Sequence, residues 1–167
     1  MANGKLLVAE KDGVHVLKFV GDVRVTLGPT IDAFLTALLK TEDFRSVIID
    51  LTETKGIDST SLGFIAKISI GAKDSFGIIP TIVSTNDDIT RLLVSMGFDQ
   101  VFLIIKEPME SSVKMGEVQV KDMAEEDLRE KVLEAHQVLM QLNEENQNTF
   151  RDLVVALQRE QETPIVH

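Results

Sequence analysis

The densest chemistry in the chain lies in one stretch, Gly56-Ile57-Asp58-Ser59-Thr60-Ser61-Leu62-Gly63. Asp58, Ser59 and Thr60 are all residue types that cap helix N-termini, where side-chain oxygens meet otherwise unpaired N–H groups. Read locally, the stretch is a well-capped helix start. Read chemically, it displays hydroxyls at a helix end. A phosphate added there brings about −1.5 to −2 charges and three acceptor oxygens. The free N–H groups and the helix dipole accommodate such an anion. Modification would then change what the surface binds without unfolding the domain, which is how a switch behaves. The residues fit both readings.

Other chemistries find less support. A hydrolase nucleophile elbow needs Gly-x-Ser-x-Gly, and around Ser61 the first glycine position holds Ser59. Of the three histidines, His15 falls in an expected strand, His136 in an expected tail helix, and His167 is the last residue. Nothing in the sequence places a base beside Ser59, so an enzyme acting on a phosphate or acyl substrate there lacks its partner group. There is no Gly-rich phosphate loop and no His-Glu-x-x-His. Asp87-Asp88 reads as a helix cap rather than a metal site. No metal or cofactor is expected. The absence of cysteine excludes disulfides, thiolate metal sites and thiol catalysis.

Seventeen basic residues against 27 acidic ones give a net charge of −10. That balance argues against nucleic acid or an anionic membrane surface as partner. The lack of Trp and Tyr, with only eight Phe, argues against a base-stacking platform. No apolar run approaches the ~18–20 residues of a membrane span, and the N-terminus lacks the apolar core of a signal peptide. The expectation is a cytoplasmic protein.

These residues need elements to hold them. Lys5 to Lys11, the Asp12-Gly13 turn pair and Val14 to Val20 read as a β-hairpin. Ile31, Phe34, Leu35, Leu38 and Leu39 follow at helical spacing. Val47-Ile48-Ile49-Asp50-Leu51 has the pattern of a strand buried on both faces, as in a parallel sheet covered by helices. Leu62, Ile65, Ala66 and Ile68 suggest a second helix ending near Gly77. A strand over Ile78–Ser84, with Pro80 marking an edge or an irregular start, leads to a third helix capped by Asp87 or Asp88. That helix carries Ile89, Leu92, Leu93 and Met96 and stops at Gly97, before a last strand over Val101–Ile105. The order predicts an α/β fold with a mostly parallel sheet.

Residues 108–120, with Ser111-Ser112 and Gly116, read as a linker. From Asp122 to about Glu160 the pattern becomes one long helix without Gly or Pro. Leu128, Val132, Ala135, Leu139 and Leu142 form a heptad-like seam that meets Asn146 and Thr149 before resuming at Phe150. Residues 121–162 hold 11 acidic and 5 basic residues, so the acidity is concentrated in this tail. The tail could pack back on the α/β unit, pair with a second copy as a homodimer, or form a docking arm. Asn146 suits register specification in a pair and equally a seam that simply ends.

The strand Val47–Leu51 followed by Ile57-Asp58-Ser59-Thr60-Ser61-Leu62-Gly63 resembles the strand and D-S-[ST]-G-L-G motif of STAS-domain anti-sigma factor antagonists. Gly21-Asp22 is similar to that family's Gly-Glu turn. Arg91 through Phe102 resembles its R-L-F-x-x-x-G-L-x-x-x-F segment. The matches fall in the family's order and cover residues 1–107, which the resemblance makes a STAS domain, followed by the 108–120 linker and a 121–167 extension outside the core pattern. Two positions depart from it: Ser61 replaces the usual Gly, and Arg24 stands where an acidic residue often follows the turn.

The resemblance implies a non-enzymatic phosphorylation switch. Ser59, directly after the motif Asp, would be the phosphorylated residue. A partner that is an anti-sigma factor or serine protein kinase would add the phosphate, and a PP2C-type phosphatase would remove it. Asp22, Asp58, Ser59, Thr60, Ser61, Leu62 and Gly63 would form the partner-binding surface, and sigma-factor-dependent transcription would be the output. An alternative is an oligomerising adaptor acting through the C-terminal helix.

Overall fold

The computed structural model describes residues 4–109, 114–120 and 122–162. Ser111-Ser112, Lys121 and His167 lie outside them. Strand β1 (Lys5–Lys11) and β2 (Val14–Val23) form the expected antiparallel hairpin, with Lys11 opposite Val14. The turn between them puts Asp12 at φ 52° and Gly13 at φ 85°. Two successive left-handed residues twist a two-residue turn in the same sense as the strands, which is why Asp-Gly works there. Helix α1 (Gly28–Leu38), β3 (Ser46–Ile57), α2 (Ser59–Phe76), β4 (Thr81–Val83), α3 (Asp87–Ser95) and β5 (Leu103–Ile105) follow.

The two-residue β6 (Gly116–Glu117) falls in the stretch read as a linker and pairs antiparallel with β1. The sheet runs β5-β4-β3-β2-β1-β6, with β2, β3, β4 and β5 mutually parallel. This is the mixed, mostly parallel α/β arrangement expected of the sequence.

The helices cover one face of the sheet rather than two. His15, Leu17 and Phe19 of β2 and Val47, Ile49 and Leu51 of β3 point into the core with Leu62, Phe64, Ile65 and Ile68 of α2. The alternate residues, Val16, Lys18, Ile48 and Asp50, are only half-buried and line a cavity of about 450 Å³ on the other face. The apolar run Val47–Leu51 therefore belongs to a strand covered fully on one side only. Asn86, not Asp87 or Asp88, caps α3: its side chain accepts from the Asp88 and Ile89 N–H groups, and the two acids occupy the first turn. Gly97 ends that helix at φ 82°.

The tail is not one long helix. It folds into a hairpin of α4 (Glu125–Met140) and α5 (Glu144–Glu162). The break has a local cause. The Asn143 side chain accepts from the Asn146 N–H at 2.7 Å, three residues on, and so starts a new helix. The Asn146 amide donates to Leu139 O and Met96 O, both at 2.8 Å, fastening the turn to α4 and to the end of α3. Of the arrangements open to the tail, packing back is the one observed. Ala135, Val138 and Leu139 join the core cluster of the α/β unit.

Candidate functional site

Strand β3 passes directly into α2, and Asp58 makes the junction. Its backbone is extended (φ −85°, ψ 167°) and its N–H donates to Val23 O. Oδ1 accepts from the Ser61 N–H at 2.8 Å, the N-cap bond, while Oδ2 accepts from the Val25 N–H at 2.7 Å. Both carboxylate oxygens are thus engaged in tying the helix start to the end of β2. The β2–β3 register sets Asp22 opposite Gly56 at the same end of the sheet. A Cβ on Gly56 would lie 2.8 Å from Asp22 Oδ1, so glycine gives the carboxylate its room. Arg24 folds back to Asp22 through Nε and a terminal nitrogen, each 2.9 Å away.

The three hydroxyls fare differently. Thr60 and Ser61 are buried at 7% and 0% exposure, and Ser61 Oγ has no hydrogen-bond partner among the described residues. Ser59 is half-buried, and its Oγ lies 2.8 Å from Nε2 of His136 on α4. His136 Nδ1 is 2.8 Å from Val132 O. A carbonyl can only accept, so Nδ1 carries a proton; in the neutral imidazole Nε2 is then the acceptor and the Ser59 hydroxyl donates to it. The imidazole is 2% exposed and meets Phe150 edge-on at 5.0 Å between ring centres. Leu62 points into the core. Gly63 lies under α4, where a Cβ would come within 2.3 Å of Ala135 O. No side chain larger than hydrogen fits there without moving the helix.

Charges complete the contact. Lys67 Nζ reaches Asp32 Oδ1 on α1 at 2.9 Å and Glu134 Oε1 on α4 at 2.6 Å. Lys131 Nζ of α4 reaches Asp32 Oδ2 at 2.8 Å and Glu134 Oε2 at 3.5 Å. Burial opposes the charge on Asp32. The hydrogen bonds and charges of Lys131 and Lys67 outweigh it, and its carboxyl ionises below the ordinary value. The Asp32 hydrogen bond in turn raises Lys131 above its own ordinary value.

The structure therefore gathers Asp22 and Asp58 through Gly63 at one end of the sheet and adds His136, Ala135, Lys67, Asp32, Lys131 and Glu134, which the sequence reading did not select. The base that nothing in the sequence placed beside Ser59 comes from 77 residues away. A signal was present. Ser59, Gly63 and Lys67 recur at four-residue spacing, one stripe of α2 that is small or polar where a core stripe would be apolar. Chemically, an acceptor nitrogen on a serine hydroxyl at a helix N-terminus favours a nucleophilic oxygen. The imidazole is oriented by a backbone carbonyl and lies between Ser59 of α2 and Phe150 of α5. Among the described residues no group of three metal-ligating side chains is assembled, and none of the helices is long and apolar enough to cross a membrane.

Comparison with known proteins agrees with the α/β fold. No curated protein matches the chain significantly. Among solved structures, a candidate anti-sigma factor antagonist from Thermotoga maritima aligns with a TM-score of 0.52 and 22% identity, over 58% of this chain and 82% of its own. The anti-sigma factor antagonist SpoIIAA in its unphosphorylated form aligns with a TM-score of 0.52 and 10% identity, over 62% of this chain and 89% of its own. At those identities the likeness is one of fold. The family model for the STAS domain matches residues 5–115, the six strands less the last of them, the first three helices and the Ser59 turn. The chain belongs to the STAS domain family.

Proposed function

We propose that this protein is an anti-sigma factor antagonist switched by phosphorylation of Ser59, a binding protein of the cytoplasm rather than an enzyme. The observation that carries the reading is the unequal exposure of the three hydroxyls. Thr60 and Ser61 are buried, while Ser59 is half-buried at the first position of α2. The fold shared with anti-sigma factor antagonists supports the same role. Unphosphorylated Ser59 sits in the interface with an anti-sigma factor or serine protein kinase and keeps that partner from its sigma factor. Phosphorylation puts a dianion into the interface, and a PP2C-type phosphatase restores it.

The magnitudes are adequate. An uncompensated buried charge costs about 2–5 kcal/mol at an interface, and moving an occupancy from 99:1 to 1:99 takes about 5.5 kcal/mol. With 27 acidic and 17 basic residues, one more phosphate changes the global charge little, so the effect is local to Ser59. The test is phosphate incorporation from ATP in an extract of the source cells, mapped by mass spectrometry. Label on Ser59, lost in Ser59→Ala, is expected. Label confined to Thr60 or Ser61, or none, overturns the reading.

A further inference from the structure

The stripe of α2 formed by Ser59, Gly63 and Lys67 is the surface a partner of Ser59 must reach, and the chain's own α4 lies on it. His136 meets Ser59, Ala135 meets Gly63, and Glu134 meets Lys67. We propose that α4 is a resident cover over the Ser59 end of α2, and that partner binding and phosphorylation of Ser59 both require its displacement. This rests on the reading of Ser59 as the modified, partner-facing hydroxyl.

Three observations carry it. The 2.8 Å between Ser59 Oγ and His136 Nε2 is a hydrogen-bond length and leaves no space for a phosphorus atom and its oxygens. The covered form and the phosphorylated form exclude each other at that atom. Next, α4 approaches Gly63 so closely that no partner side chain can share the face. Finally, the joints are of a kind that can open. Beside the apolar contacts of Ala135, Val138 and Leu139 with the core, they are a histidine–serine hydrogen bond, the Asn146 amide to Met96 O, and ion pairs whose side chains remain 17–41% exposed. Lifting α4 returns the apolar area of three of its core residues to water, far less than opening the sheet core would, so the cover opens at lower free energy than the central strands. A covered site binds with an affinity reduced by the fraction of time it is open. By reciprocity, a phosphate on Ser59 holds α4 away.

The chain has no cysteine, so Ser59→Cys introduces a single thiol at the covered position. The full-length variant is labelled with fluorescein maleimide, alone and combined with Gly63→Ala or Lys131→Glu. Gly63→Ala drives a methyl against the Ala135 carbonyl while favouring helix within α2. Lys131→Glu sets like charge against Asp32 and leaves α2 untouched. Labelling is expected to be slow in Ser59→Cys alone and about tenfold faster in each double variant, as the covered population falls. Amide exchange in the unsubstituted protein should be faster in α4 than in β2 and β3. Equal labelling rates in all three proteins overturn the proposal. So does protection of α4 equal to that of the central strands, or global unfolding of both double variants, since a cover that can leave does not hold the fold. Phosphate mapping is a separate measurement: faster labelling without phosphate on Ser59 leaves the cover standing and removes the kinase reading.

Discussion

The two faces of α2 are built on opposite principles. The inner face presents Phe64, Ile65 and Ile68 to the sheet, all at 0% exposure, against Phe19, Val47 and Ile49. The outer face presents Ser59, Gly63 and Lys67 to α4 through hydrogen bonds, a close backbone approach and ion pairs. Apolar burial is non-directional and scales with area, so the inner face is held by everything around it at once. Directional polar contacts depend on a few atoms and lose most of their worth when those atoms exchange one another for water. One helix thus belongs to an apolar core on one side and, on the other, to a joint where directional polar contacts stand beside the apolar ones of Ala135, Val138 and Leu139.

The sharpest break of this contrast is Phe64→Ala. Truncating a fully buried aromatic costs about 3–5 kcal/mol, and the loss should appear as a lower urea midpoint for every probe of the fold, α4 included. Asn146→Ala comes next. It leaves the carbonyls of Met96 and Leu139 without their amide donor, a loss of about 1–3 kcal/mol. Amide exchange is expected to rise in α4 and α5 while β2 and β3 stay protected; a uniform rise would erase the distinction between the two faces.

The smallest effect is that of Lys131→Gln, about 0.2–1 kcal/mol at neutral pH for a pair that solvent still reaches. Its signature is pH dependence. The Asp32 carboxyl is held below its ordinary 3.8 in the folded state, so its contribution is complete above that pH and is lost as pH falls through the folded value. Lys131→Gln should flatten this acid-side fall in stability, read from urea midpoints across pH 2–5, roughly the span over which a paired Asp titrates.

What the sequence disclosed was what short spacings determine. The Asp12-Gly13 turn, the Val47–Leu51 strand, the Asp58 cap and the stops at Gly77 and Gly97 each depend on neighbours within a few residues. The cap of α3 lies one residue before Asp87 and two before Asp88, the caps expected, because Asn86, Asp87 and Asp88 are all competent caps and only the backbone decides which one remains extended. The tail read as continuous helix because it contains no Gly or Pro, while the break is made by two asparagines that cap and bridge. The second face of the sheet read as buried because β-branched residues suit a half-covered strand as well as a covered one. The Ser59 motif was legible residue by residue. Its neighbour His136 was not, because a contact across 77 residues leaves no local period.

The Asn146 amide has a mechanical consequence. Of its two bonds, that to Leu139 lies within the hairpin, and that to Met96 crosses to the α/β unit. When α4 lifts, the second breaks while the first, with the Asn143 cap, still braces the corner. The two helices then travel as a stiff lever, not as an unravelling strand. The 19 residues of α5 make an arm about 28 Å long at 1.5 Å per residue. Displacement of α4 from the Ser59 hydroxyl would therefore carry the whole of α5, and its acidic surface, with it.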